Sequence, residues 1–211
     1  MRNHLFVNIR RAVSVTVVFI VICSFGYTLA LTGIGQAFFS SQANGSLGAN
    51  GSTLIGQNWA STPCPGHPLG SCVFQGRPDA LGPYAANAKT GVSGGDNPLV
   101  ANGVSGGSGP TNLGPRSKVL EANTRKLIAY WHARGVNPTP DLVTTSGSGL
   151  DPDITPADAT AQIPMVAKAT GISSKVLSQL ITKETHGAQF GFLGSSYIDV
   201  LQLNEALAKL K

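Results

Sequence analysis

Between Ala12 and Leu31 the chain reads AVSVTVVFIVICSFGYTLAL, twenty residues without a charge. At about 1.5 Å per residue, a helix of that length spans about 30 Å, the hydrocarbon thickness of a bilayer. Arg2, Arg10 and Arg11 precede the run with no acid among them, and the next charge is Arg77. That lysine/arginine asymmetry predicts a cytoplasmic N-terminus with the remainder outside. A cleaved signal peptide has a shorter apolar region, about 7–15 residues, followed by an Ala-x-Ala-like site. Thr28-Leu29-Ala30 is a poor site of that kind. The expectation is therefore an uncleaved membrane anchor, with residues 1–11 cytoplasmic, 12–31 transmembrane and 32–211 extracytoplasmic.

The formal charge of the 211-residue chain is +5. Setting aside the three arginines before the span leaves 12 basic and 10 acidic residues. Most of the basic excess is thus a topology signal, and no phosphate-binding stripe remains to favour nucleic acid. A charged content of 12% with 42% hydrophobic residues excludes a coiled coil and a wholly disordered chain. Three cysteines are too few for a disulfide-dense miniprotein or a four-cysteine zinc site.

Regular structure is expected mainly in the second half. Long Gly/Pro-rich loops are expected at 60–72 and 82–115. The latter contains Gly91-Val92-Ser93-Gly94-Gly95 and again Gly103-Val104-Ser105-Gly106-Gly107, a local duplication that lengthens a loop. Asn44-Gly45 and Asn50-Gly51 suit hairpin turns. Thr53 to Ile55, Val73-Phe74, Leu142 to Thr145 and Ile198 to Leu201 are strand candidates. One helix is predicted from Pro115 to Gly135. A second has Thr155 as N-cap, Pro156 at the first position and Asp158 in the first turn, and stops at Gly171, with a kink expected at Pro164. A third is capped by Ser173, and a short one covers Asn204 to Leu210. This mixture predicts an α+β fold, or a small α/β unit, behind a single N-terminal transmembrane helix.

Catalytic motifs are scarce. Ser93 and Ser105 each match G-x-S-x-G, but a nucleophile elbow needs a strand before the serine and a helix after it, and loop composition surrounds both. A membrane-anchored envelope hydrolase using Ser93 or Ser105 is the alternative reading. Neither common phosphate cradle is present, nor is the Asp-Lys-Thr-Gly-Thr phosphorylation motif of a P-type pump. The four histidines never fall at i, i+4 spacing, and Asp151 and Asp153 lack the other ligands of a calcium loop, so no metal site is expected. Cys64 and Cys72 enclose a loop with two prolines and two glycines, and outside the membrane they are expected to form a disulfide. Cys23, inside the span, acts as a small apolar residue.

Seven ordered blocks carry a resemblance. They are Gln42-Ala43-Asn44-Gly45-Ser46-Leu47; Leu54-Ile55-Gly56-Gln57-Asn58; Gly76-Arg77-Pro78; Thr111-Asn112-Leu113-Gly114-Pro115; LVTTSGSGLDPDITP from Leu142 to Pro156; Gln162-Ile163-Pro164 with Val166-Ala167-Lys168-Ala169; and the ending around Leu201 to Leu207. Together they resemble the C subunits of the bacterial Kdp potassium-transporting ATPase, over nearly the whole chain. The Cys64–Cys72 loop and the stretch between Gly91 and Leu113 are longer than the family's pattern, and both differences fall in loops.

The resemblance implies a non-catalytic subunit with no cofactor of its own. Its partners would be a potassium-transporting A subunit, an ATP-hydrolysing B subunit and a small F subunit. It implies a role in stabilising the complex and in raising the pump subunit's affinity for ATP, with ATP shared with that subunit. The family-motif residues that become candidate partner contacts are Gln42, Asn44, Gly45, Gln57, Arg77, Pro78, Ser146, Gly149, Asp151 and Thr155. The residues themselves argue against direct ATP binding. The glycine–serine run before Asp151 has no lysine and no helix directly after it, and two acids follow it.

Overall fold

The computed structural model describes residues 2–57, 59–78, 111–148 and 150–211. The chain divides into two compact units, Met1–Ser46 and Leu47–Lys211.

The first unit is helical. Helix α1 (Arg2–Ile20) passes through a π-helical segment (Val21–Tyr27) into α2 (Thr28–Phe38), and a single turn, α3 (Ser40–Ala43), follows. The apolar stretch His4–Phe38, 35 residues, is long and apolar enough to cross a membrane. At about 1.5 Å per residue it is about 52 Å long. The span expected at 12–31 is thus the middle of a longer helix, which exceeds the hydrocarbon thickness. Just after the π segment, Thr28 Oγ1 donates back to the Cys23 carbonyl within it, five residues earlier, at 3.3 Å, matching the widened turn. The expected hairpin at Asn44-Gly45 is instead a helix end. Asn44 closes α3, exchanges amide hydrogen bonds with Gln36 at 3.0 and 3.2 Å, and donates to the Ser40 carbonyl.

Among its described residues the second unit has four α-helices: α4 (Lys118–His132), α5 (Pro156–Thr170), α6 (Ser174–Glu184) and α7 (Val200–Ala208). Its sheets are minimal and antiparallel. Strand β1 (Leu47–Gly48) pairs with β2 (Gly51–Ser52), and β3 (Asp153–Ile154) pairs with β4 (Ile198–Asp199). The β1–β2 turn is Ala49-Asn50, one residue before the expected Asn50-Gly51. The core gathers Phe74, Trp131, Leu142, Val166, Leu177, Ile198, Leu203 and Leu207, all buried. Mixed helices and small sheets make this an α+β unit.

Helix ends follow local chemistry. In α5 Thr155 accepts from the Asp158 N–H while Asp158 accepts from the Thr155 N–H, a reciprocal capping box, and Gly171 ends the helix in the left-handed conformation at φ 74°. The helix continues through Pro164 as one element. Ser173 caps α6 as expected.

Five further expectations are corrected. Helix α4 begins at Lys118 under a Ser117 cap, and Pro115 stays outside it. Leu142 to Thr145 is no strand: a 3-10 turn, Asp141–Val143, follows Pro140, and Trp131 Nε1 donates to the Leu142 carbonyl at 2.9 Å. Val200 and Leu201 open α7, because the Asp199 carboxylate caps it by accepting from the Gln202 N–H at 2.9 Å. Thr53 to Ile55 and Val73-Phe74 pair with no strand among the described residues; the Asn204 side chain satisfies the backbone at Phe74.

Candidate functional site

Gly70 to Pro78 crosses the interior of the second unit without regular structure, so its peptide groups must find partners elsewhere. Two side-chain amides supply them. Asn204 of α7 accepts from the Phe74 N–H at 2.8 Å and donates to its carbonyl at 2.9 Å. Gln162 of α5 does the same for Gln75, at 2.8 and 2.9 Å. Each primary amide thus plays the part of a neighbouring strand. The Gln75 side chain is itself held, donating to the Gly70 carbonyl and accepting from the Tyr130 hydroxyl, both at 3.1 Å. Asn204, Gln162 and Gln75 are all buried, so each interaction is shielded from water.

Two residues on, Arg77 spreads its guanidinium over the loop between α4 and α5. Nη2 donates to the carbonyls of Thr145 at 3.2 Å and Thr144 at 3.4 Å; Nη1 donates to Asp151 Oδ2 at 3.4 Å. The Asp141 carboxylate lies 3.9 Å away. Asp151 also accepts from the Asp153 N–H at 3.2 Å, which turns the chain into β3. Pro78 is buried beside this segment, and buried Ser146 has its hydroxyl 3.1 Å from that of Ser148. A third strand of chain closes the site: Gly56 donates its N–H to the Leu150 carbonyl at 3.0 Å. Any Cβ at Gly56 would overlap the Asp151 carbonyl, so only glycine permits this approach. Next to it, the Gln57 amide lies across Gly51 with its Nε2 buried and unbonded among the described residues.

Electrostatics change at the β3–β4 pair, where Asp153 and Asp199 are directly opposite. Burial raises the Asp153 carboxyl from 3.8 to about 6; Asp151 and Asp199 add to the rise and His186 opposes it. Asp199 is raised by burial too, against the hydrogen bonds from the Gln202 and Leu201 N–H groups. Since folded Asp153 keeps its proton to about pH 6 and the unfolded chain releases it near 3.8, the folded state binds more protons between those values. Stability from this group is therefore full below pH 3.8 and falls as pH rises through 6. Asp153→Asn is expected to be more stable than the parent at pH 7, with the difference closing towards pH 4 in urea titrations. Parallel curves for the two proteins would assign the slope to other groups.

In its chemistry the site is a clamp. Both terminal nitrogens of Arg77 are engaged with carbonyls and carboxylates, and no group of three or more His, Cys, Asp or Glu among the described residues could hold a metal ion.

The whole sequence then places the clamp in a family. Residues 9–209 match the family model described as KdpC: K+-transporting ATPase, c chain. The chain belongs to the KdpC family. Among its relatives, the potassium-transporting ATPase KdpC subunit of Burkholderia ambifaria is 39% identical over 208 residues, 94% of each chain. The KdpC subunit of Staphylococcus aureus (strain bovine RF122 / ET3-1) is 38% identical over 209 residues, 97% of this chain and 98% of that one. That of Bacillus cereus (strain G9842) is 37% identical over 209 residues, 94% of this chain and 93% of that one.

Within this KdpC-family chain the motif residues chosen from the sequence fall into groups. Gln57, Arg77, Pro78, Ser146, Asp151 and Thr155 converge on the clamp or its flank. Gln42, Asn44 and Gly45 belong to the first unit, at the end of its helix. Gly149 lies outside the described residues, as do Ser93 and Ser105, and the KdpC relatives lend no support to the hydrolase alternative. Gln75, Gln162 and Asn204 are not among those candidates, although Gln162 stands in one of the family blocks. A signal for Gln162 existed: it lies on the same helix face as Ala159, Ile163 and Val166, all apolar and buried.

The structure pairs Cys64 with Cys72, Cα atoms 5.8 Å apart, within the reach of a disulfide. Opening so short a loop costs about 2–3 kcal/mol at most in the chain-entropy model. Cys64→Ser with Cys72→Ser is therefore expected to lower the urea midpoint of the second unit modestly and leave transport intact. Loss of transport in the double variant would make the loop itself a contact surface.

Proposed function

We propose that this chain is the anchored, non-catalytic subunit of an ATP-driven potassium uptake complex, and that it stabilises the subunits that move potassium and hydrolyse ATP. The observation that carries this reading is the KdpC match from residue 9 to residue 209, which takes in anchor and clamp alike. The apolar helix His4–Phe38 supports a membrane location. Arg10 and Arg11 before its apolar centre, with no charge from there to Arg77, support a cytoplasmic N-terminus and an external second unit. On that side ATP is scarce, so any influence on ATP use is indirect, through the stability of the transporter. The chain needs no cofactor of its own for this task. Its partners are a potassium-transporting, an ATP-hydrolysing and a small accessory subunit.

The test is affinity purification of the tagged full chain from native membranes. The ATPase's other chains are expected in the eluate, and their absence would overturn the reading. Orientation is read separately, with single cysteines at Ser148 or Lys175, both exposed, in a background whose own cysteines are replaced. Labelling of intact cells by an impermeant thiol reagent is expected. Labelling only after the membrane is opened would place the second unit inside.

A further inference from the structure

Between α6 and β4 the chain forms a finger, whose base residue His186 acts on Asp153. His186 and Tyr197 exchange both backbone hydrogen bonds, at 2.8 and 3.0 Å, and their rings stack 5.1 Å apart. Further out, Gln189 and Leu193 exchange both of theirs at 2.9 Å, and the Gly191 N–H closes the tip on the Ala188 carbonyl at 3.0 Å. The side chains at this tip are apolar and bare: Phe190 is 86% exposed, Phe192 76% and Leu193 49%. Phe190 also sits at φ 54°, a backbone region that bulky residues rarely occupy. Two phenylalanines held in water, one of them in a costly conformation, gain nothing for the isolated fold.

We propose that Phe190 and Phe192 form a preorganised docking knob that enters an uncharged, apolar pocket on another chain of the potassium-transporting ATPase. The inference rests on the subunit reading above and specifies one of its contacts. Three observations favour a protein pocket over a lipid surface or a second copy. No lysine, arginine or acid occurs from Thr185 to Ile198, so the tip has no attraction for anionic headgroups. Its geometry is fixed by paired hydrogen bonds, which lowers the ordering cost of entering a shaped pocket; a fluid bilayer needs no such shape. As a c chain by family, it has other chains to meet. An aromatic side chain offers about 150–250 Å² for burial, so the pair is of hot-spot size within a larger contact.

The experiment uses the full chain co-expressed with the rest of its ATPase. Phe190 replaced by p-benzoylphenylalanine is irradiated in membranes, and a cross-link to another ATPase chain is expected. Alongside it, Phe190→Gly with Phe192→Ala is expected to reduce recovery of the partner chains by at least about tenfold. The same variant should not melt at a lower temperature than the parent, since glycine relieves the strained φ and both rings are already in solvent. Opposite signs in the two readouts separate a docking role from a folding one. A cross-link only to lipid or to a second copy of this chain overturns the proposal, as does full recovery of the partners by the double variant. If the parent chain itself brings down no ATPase chain, the subunit reading has failed and the knob falls with it.

Discussion

Gln162→Leu is expected to destabilise the second unit by about 2–5 kcal/mol, because it leaves the N–H and carbonyl of Gln75 buried with no partner, each worth about 1–3 kcal/mol. Leucine is near enough in size that a cavity adds little, so the loss reports the missing hydrogen bonds. Set against the 5–15 kcal/mol usual for a whole domain, a change of this size empties much of the folded population. Asn204→Leu should do the same to Phe74. Since Phe74 and Gln75 are adjacent, releasing one loosens the other, and the double variant should lose less than the two single losses combined. Urea unfolding followed by fluorescence of the buried Trp131 measures all three. A loss under 1 kcal/mol for Gln162→Leu would mean that water or another side chain replaces the amide.

Arg77→Ala is expected to cost about 3 kcal/mol, since two carbonyls and a half-buried carboxylate lose their donor together. Arg77→Lys keeps the charge but not the fork, and one ammonium cannot reach Thr144, Thr145 and Asp151 at once, so it should recover less than half of the loss. Salt separates the two kinds of contact. At 1 M ionic strength the screening length is about 3 Å, which weakens the pairings with Asp141 and Asp151 but not the hydrogen bonds to backbone. The Arg77→Ala loss should therefore persist in high salt. Its disappearance there would show that the carboxylates carry the interaction.

What could be read from the sequence was what is decided locally. Thr155, Pro156, Asp158 and Gly171 announce both ends of α5 because caps act within a turn of their own position. The apolar run around Ala12 to Leu31 announced a helix for the same reason, and the helix runs on past it at both ends: uncharged polar residues such as Gln36 do not stop a helix that has no proline or cap. Ile198 to Leu201 misled, since two residues of strand and the opening of a buried helix have the same apolar composition; only the cap at Asp199 separates them. The clamp was out of reach for another reason. An amide that replaces a strand pairs with peptide groups, and peptide groups carry no sequence. Arg77 and Asp151 were each picked out by family pattern, but their meeting, 74 residues apart, depends on the fold.

The amide clamp also bears on when the domain can form. Gln162 reaches back 87 residues to Gln75, and Asn204 reaches back 130 to Phe74. A nascent chain emerging N-terminus first offers Phe74 and Gln75 no partner until α5 and then α7 have been made. Contacts this distant in sequence are slow to close, and the loop-closure entropy comes due before they return anything. On the membrane-anchored reading proposed above, the stretch around Phe74 and Gln75 would have to wait unpaired until those helices follow it out. The last helix acts as the latch on a folding reaction that cannot begin in earnest at the other end.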